Sequence, residues 1–163
     1  MESRAKLLGH PIHPMLIVLP LGLFIAAVVF DAVYLWRGSS TFATAAYWNI
    51  AAGVVGGLLA AVFGLIDWFA IPAGTRAKRI GLLHGGSNVV VVLIFALVWL
   101  MRGNTPGATP TTNLFLLEVV GLALGSVAGW LGGELVDRLG VGVDDGAHLD
   151  APSSLSGRPA RQK

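Results

Sequence analysis

The chain has 163 residues, of which 55% are hydrophobic and 12% carry a formal charge, and its net charge at pH 7 is +2. An average soluble domain has about 25% charged residues, so this composition, with a mean hydropathy of +0.74, indicates a membrane protein. The chain contains no cysteine, which excludes disulfides, iron–sulfur clusters and thiolate metal sites. The small net charge argues against a nucleic-acid partner.

Four apolar stretches are each long enough to cross a bilayer as a helix, which needs about 20 residues. They cover about 14–36, 43–71, 80–101 and 113–137. These runs are too long and continuous for the strands of a membrane barrel. We therefore predict an all-α integral membrane protein with an up-down four-helix bundle, residues 1–143, and a disordered polar tail, residues 144–163. No internal repeat is evident.

Basic residues predict the orientation of the bundle. In an up-down arrangement the N-terminus, the second loop and the C-terminus share one side. That side carries nine lysines and arginines, whereas the other side carries only Arg37 and Arg102. Because basic segments stay in the cytoplasm, we predict that both termini are cytoplasmic.

Small residues recur every four positions in the second and fourth spans. These ridges contain Gly53, Gly57 and Ala61, and Gly121, Gly125, Gly129 and Gly133. Small residues at this spacing allow helices in lipid to approach closely. The pattern leaves open whether a ridge packs within the chain, in a homo-oligomer, or against a partner in a membrane complex.

The first span is preceded by the sequence GHPIHP, Gly9 to Pro14. Proline disfavours helix in the residue before it and is well tolerated at the first helical position. We therefore expect His10 and His13 to be extended or in a turn, and the first helix to begin at Pro14. The segment would form a stiff hook that leads into the bundle.

Polar residues of the other spans lie on the same side as this hook. Asp67 is near the end of the second span, His84 opens the third, and Glu134 is near the end of the fourth. An ionisable group inside a span costs about 2.5–3.5 kcal/mol on insertion scales unless it has a partner. We therefore predict one buried cluster, which contains His10, His13, Asp67, His84 and Glu134.

Imidazoles and carboxylates without thiolates suit zinc, iron, manganese or oxidised copper. The five residues of the cluster are candidate metal ligands, and His13 with His84 is the candidate axial pair for a haem b. Such a protein would be an electron-transfer or accessory subunit. The alternatives are a structural or assembly subunit without a cofactor and proton or ion transport by an oligomer. With no nucleophile elbow and no phosphate loop, no catalytic residue is predicted.

On the opposite side, Asp31 and Glu118 occupy similar depths in the first and fourth spans. Two adjacent carboxylates do not both stay ionised in apolar surroundings. We expect a hydrogen-bonded or proton-sharing pair, with Arg37 or Arg102 neutralising one carboxylate. A structural role is favoured for this pair.

GHPIHPMLIVLPLGLF resembles the opening of a large family of bacterial four-span membrane proteins, the domain-of-unknown-function 2231 family. Other segments resemble the family as well: Gly64 to Trp68, the lone histidine that opens the third span, Gly132 to Val136, and Gly140 to Val143. The resemblance extends from about Gly9 to Val143. It implies a multi-pass protein of the bacterial cytoplasmic membrane and no established activity.

The split of basic residues gives a testable topology. A reporter fused after residue 104 should lie outside the cytoplasm, and a reporter fused after residue 76 should lie inside it. Paired enzymatic reporters that each work on only one side of the membrane measure this. The reverse pattern would contradict the predicted orientation.

Overall fold

The computed structural model describes residues 1–161, apart from the side chain of Pro106. Two short strands, β1 (Lys6–Leu7) and β2 (His10–Pro11), precede the helices α1 (Ile12–Leu16), α2 (Val18–Arg37), α3 (Ser40–Ala70), α4 (Arg76–Arg102) and α5 (Thr112–Gly133). A π-helical turn, Glu134–Arg138, extends α5. The predicted all-α, four-span architecture is confirmed, because four helical segments within residues 1–161 are long and apolar enough to cross a membrane. These are Ile12–Arg37, Ser40–Ala70, Arg76–Arg102 and Thr112–Arg138.

The helices form a ring in which α2 packs on α3, α3 on α4, α4 on α5, and α5 on α2. Met1 and the segment that follows α5 lie at one end, which we call the termini end, because the amino group of Met1 donates to the carbonyl oxygen of Gly140 at 2.8 Å. The opposite end is called the far end. Within residues 144–161 the regular structure is one 3-10 turn, Ser154–Ser156. Disorder of this tail stays a prediction.

The strands β1 and β2 form an antiparallel hairpin in which Leu7 pairs with His10. The two residues between them, Leu8 and Gly9, have φ angles of 52° and 84°. Positive φ at both central positions is characteristic of the tight hairpin turns that match strand twist, and glycine adopts it without strain. Gly9 therefore allows the chain to turn back and enter the bundle.

His10 is extended, as expected, but His13 lies inside α1, which begins at Ile12. The expectation of a start at Pro14 was wrong, because a helix tolerates proline anywhere in its first turn, where the missing N–H has no partner in any case. The true interruption comes after Leu16. Pro20 has no N–H to donate to the Leu16 carbonyl. The helix is therefore broken between Pro14 and Pro20, where α1 ends and α2 begins.

Helices α2 and α4 are diagonal in the ring and run in the same direction. Side chains of α2, and of α1 just before it, meet those of α4 along the centre of the ring. Three pairs meet there: His13 with His84 (ring centroids 6.2 Å apart), Phe24 with Phe95 (3.9 Å, stacked), and Asp31 with Arg102 (2.5 Å between Oδ2 and Nη1). In each pair the same 71 residues separate the partners: 13 and 84, 24 and 95, 31 and 102. Equivalent residues that face each other in this way indicate a two-fold axis along the bundle.

The outer helices α3 and α5 repeat in the same manner, with a separation of 68 residues. The matching positions are Gly53 and Gly121, Gly57 and Gly125, Ala60 and Ala128, and Gly64 and Gly132. Their contacts also match, since a Cβ atom would lie 2.5 Å from the Phe24 ring at Gly53 and 3.0 Å from the Phe95 ring at Gly121. We infer two structural repeats, α1–α3 and α4–α5, related by an approximate two-fold axis parallel to the helices. The repeat is not evident in the sequence because few identical residues mark it.

The glycine ridge of α5 faces its own chain along only part of its length. A Cβ atom at Gly121 would press on Phe95, and one at Gly125 would make ordinary contact with Val91 at 3.9 Å. Gly129 and Gly133 have open space where a Cβ would be. The ridge is therefore partly a packing surface and partly exposed at the bundle surface.

Replacing Gly53 with alanine should destabilise the bundle by about 1–3 kcal/mol, because the added methyl group would push the Phe24 ring away from its partner. The matched substitution Gly129→Ala should leave stability unchanged, since that position is open. Thermal unfolding of both variants in detergent measures the difference. Unfolding of Gly53→Ala at the wild-type temperature would mean that Phe24 is not held against α3.

Candidate functional site

His13 is half-buried and lies against α3. Its Nδ1 atom is 2.8 Å from the backbone carbonyl oxygen of Ala60. Gly64, one turn further along α3, leaves the space that the imidazole occupies, because a Cβ atom there would be 2.9 Å from the ring. A carbonyl oxygen and a glycine four residues apart thus form a cradle for the imidazole.

His84 has the equivalent environment in the second repeat. Its Nδ1 atom is 2.8 Å from the carbonyl oxygen of Ala128 on α5. A Cβ atom at Gly132 would be 3.0 Å from the ring, so glycine again provides the space. The same pattern, an alanine followed four residues later by a glycine, therefore holds each histidine.

The two hydrogen bonds determine the chemistry of the imidazoles. A carbonyl oxygen only accepts, so each Nδ1 carries the hydrogen, and in a neutral ring Nε2 then has a free lone pair. The rings are nearly perpendicular, with an interplanar angle of 84°. The amide nitrogen of Asn88 lies 3.4 Å from Nε2 of His84 and donates to the His84 carbonyl oxygen at 2.9 Å.

Asp67 forms its hydrogen bonds with the N-terminal segment and not with a histidine. The Ser3 hydroxyl is 2.8 Å from both carboxylate oxygens, and the backbone N–H of Arg4 donates to Oδ1 at 2.7 Å. The expectation that Asp67 joins the histidines is corrected, because the N-terminal segment crosses the end of α3 and supplies its donors.

Glu134 and His10 also have other partners. Arg76 at the start of α4 pairs with Glu134 at 2.6 Å between Nη2 and Oε1, which ties α4 to the end of α5. His10 is exposed, and its Nε2 lies 3.3 Å from the Ser154 hydroxyl. Across residues 1–161 no group of three or more His, Asp or Glu side chains is arranged to hold a metal ion. The structure thus brings two of the five candidate ligands together, His13 and His84.

Ion pairs join the N-terminal segment to the start of the tail at the termini end. Lys6 pairs with Asp144 and, at 2.8 Å, with Glu2. The hydrogen bonds to Asp144 and Glu2 raise the pKa of Lys6 above its ordinary value. The hydrogen bond from Lys6 lowers the pKa of Glu2. These contacts keep the hairpin over the end of the bundle, next to the first turn that carries His13.

At the far end, Arg102 was expected as one of two candidate partners for the carboxylates. It donates from Nη1 to Oδ2 of Asp31 at 2.5 Å. Arg37, the other candidate, is exposed and stacks on the Trp36 ring at 4.6 Å. The predicted neutralisation of one carboxylate by Arg102 is therefore confirmed.

Sequence reasoning did not foresee the backbone acceptors of Ala60 and Ala128 or the position of Asn88. The signal that could have found the acceptors is the shared spacing of Ala60 and Gly64 with Ala128 and Gly132. Asn88 lies one turn after His84 on the same helix, where a side chain reaches its neighbour.

No solved structure matches this chain. A protein from Rhizobium meliloti (strain 1021) named glycerol-3-phosphate acyltransferase is 32% identical in an alignment of 111 positions, and the match covers 64% of this chain and 53% of that protein. The chain thus spans about half the length of this relative. Residues 9–145 match the model of a family described as "Predicted membrane protein (DUF2231)". Since this match covers most of the sequence, the chain belongs to the DUF2231 family of predicted membrane proteins.

Proposed function

We propose that His13 and His84 together bind one transition-metal ion, either bare or as the iron of a haem b. The protein would then serve as an electron-transfer or accessory subunit of the bacterial cytoplasmic membrane, with both termini inside. The observation that carries the proposal is the pair of Nδ1–H bonds to backbone carbonyls, which directs the lone pair of each ring to Nε2. The Asn88 amide, 3.4 Å from Nε2 of His84, would have to give way to an ion there. Metal-binding histidines usually have this arrangement, in which the second nitrogen donates to a carbonyl or a carboxylate.

The spacing of the rings supports the same proposal. Two nitrogens that bind one ion from opposite sides, each at about 2.0–2.1 Å, are roughly 4 Å apart, and their ring centres are then roughly 6 Å apart. The observed separation is 6.2 Å. Only two protein ligands are offered, so the remaining coordination positions would belong to a macrocycle, water or another small ligand. Imidazole nitrogens suit zinc, copper and iron.

A structural role without a cofactor is the second candidate, and the same hydrogen bonds favour it. Each imidazole connects two helices by a bond to a carbonyl, which stabilises helix association in lipid. In that case the pair would be a lock in a scaffold or assembly subunit. Exposed glycines such as Gly129 and Gly133 would then suit contact with a second copy or a partner helix.

Transport by a single chain is disfavoured by the centre of the bundle. Phe24 stacks on Phe95 there, and Ala27, Ile50 and Val98 are fully buried beside them. A proton or ion path through these side chains would have no polar group to carry it.

The acyltransferase activity named for the Rhizobium protein is not proposed either, because the match extends over only about half of that protein.

Asparagine substitutions separate the metal site from the structural lock. In His13→Asn and His84→Asn the amide nitrogen sits at the position of Nδ1 and keeps a donor for the carbonyl, but no Nε2 remains. Wild-type protein purified without chelators should contain about one metal or haem per two imidazoles, measured by elemental analysis and by the Soret absorption. Loss of a group that only hydrogen-bonds to a metal ligand typically lowers metal affinity about 10–100-fold. Each variant loses a ligand itself, so its affinity for the metal should fall by at least this factor.

His10→Asn is the matched control and should retain the metal, because His10 is exposed and bonded to Ser154. Apo-protein should also be titrated with haemin, Zn²⁺, Cu²⁺ and Fe²⁺. Wild-type protein that neither contains nor takes up any of these at stoichiometric levels would overturn the proposal. His84→Ala would then still lower thermal stability, as expected for a lock.

A further inference from the structure

Three ionisable side chains that the histidine site does not use meet at the far end of the bundle. They are Asp31 of α2, Arg102 at the end of α4, and Glu118 of α5, and each is 0% exposed. Ionisable groups inside a membrane bundle are costly, pair with one another, and commonly mark ion or proton sites. The three are called the far-end triad.

The guanidinium group of the triad is committed to Asp31 and to the backbone. Nη1 is 2.5 Å from Asp31 Oδ2, whereas its 3.6 Å separation from Glu118 Oε1 is too long for a hydrogen bond. Nη2 donates to the carbonyl oxygen of Ala43 at 2.8 Å, and Nε donates to that of Ala108 at 2.9 Å. Arg102 is therefore fixed in place as the counter-ion of Asp31.

The far-end triad has one more carboxyl group than its single guanidinium can neutralise. The triad has two carboxyl groups and one guanidinium, and none of them reaches solvent. Within residues 1–161, both oxygens of Glu118 and Oδ1 of Asp31 have no hydrogen-bond partner. An ionised Glu118 would be a buried anion without a donor, and it would repel the neighbouring Asp31 carboxylate.

Other titratable or charged groups do not supply the missing charge. On α3 the closest such group is Tyr47, whose ring centre is 5.9 Å from the guanidinium carbon of Arg102. Along α2, Tyr34 and Arg37 follow Asp31, and Arg37 is exposed and stacked on Trp36. On α4 and α5 the only ionisable members are Arg102 and Glu118 themselves, within the described part of these helices at this end.

The two-fold relation of the repeats identifies Glu118 as the surplus group. Asp31 and Arg102 are equivalent positions that carry opposite charges, so they neutralise each other across the axis. The position equivalent to Glu118 in the first repeat is Ile50, which is also fully buried. Glu118 therefore introduces a carboxyl group where the other repeat has a hydrocarbon side chain.

We propose that the far-end triad is a proton-binding site in which Glu118 carries one proton and donates a hydrogen bond to the free Oδ1 of Asp31. One proton adds to the Glu118 carboxylate, and no other bond forms or breaks. Asp31 then accepts from both Arg102 and Glu118, and the triad becomes electrically neutral. The proposal uses no residue of the histidine pair and stands independently of a metal or haem there.

Infrared spectroscopy of the full chain in lipid tests the proposal directly. At neutral pH the wild-type spectrum should contain the C=O stretch of a protonated carboxylic acid that resists hydrogen–deuterium exchange. The band should shift with ¹³C-labelled glutamate and be lost in Glu118→Gln. It should persist in Asp67→Asn, a matched control because Asp67 is at the termini end and bonded to Ser3.

Two results would overturn the proposal. One is a wild-type spectrum without this band. The other is a band that shifts with labelled aspartate and survives Glu118→Gln, which would place the proton elsewhere. A dependence of wild-type stability on Na⁺ concentration at constant ionic strength, absent in Glu118→Gln, would also contradict it by identifying a metal cation as the occupant.

Stability of the variants provides a check that does not depend on the spectrum. Glu118→Gln and Asp31→Asn each leave one carboxylate opposite Arg102, so both should retain the folded, monodisperse fraction in detergent. The double variant leaves the guanidinium buried without an anion and should lose most of that fraction. Equal folded yields for the single and double variants would mean that the triad is not charge-balanced as proposed.

Discussion

Contact between the diagonal helices α2 and α4 is the constraint on which the rest of the structure depends. Neighbouring helices in lipid gain little from hydrophobic burial and associate by close packing and by polar contacts. The Phe24 and Phe95 rings stack at 3.9 Å across the centre, and Gly53 and Gly121 provide the room for them. With these rings stacked, the equivalent side chains on either side of them also face each other.

The consequence at each end of the axis follows from the chemistry of the paired residues. Toward the termini the equivalent residues are both histidines, which do not repel when neutral and which each find a carbonyl acceptor. At the far end they are an aspartate and an arginine, which attract each other. The repeat thus generates a symmetric pair of imidazoles at one end and an asymmetric ion pair at the other. This difference is why a metal site is proposed at the first and a proton site at the second.

Much of the fold could be predicted from the sequence because lipid imposes long apolar helices with few exceptions. The four spans and the approach of His13 to His84 follow from hydropathy and depth along the chain. Depth along the chain could not predict the partners of Asp67, Glu134 and His10. Asp67 and His10 bond to segments outside the spans, and Glu134 pairs with a residue at the start of α4. The repeat could not be recognised either, since only scattered residues such as Gly64 and Gly132 are shared and the intervening apolar residues differ.

The central claim is that two repeats face each other along one axis, and magic-angle-spinning NMR of the protein in lipid tests it most directly. A sample labelled in histidine and phenylalanine, diluted with unlabelled protein to suppress contacts between copies, should show cross-peaks between the rings of His13 and His84 and between those of Phe24 and Phe95. We predict that these cross-peaks remain in the diluted sample. Loss of both sets of cross-peaks in the diluted sample would show that the pairs do not meet within one chain and would contradict the account.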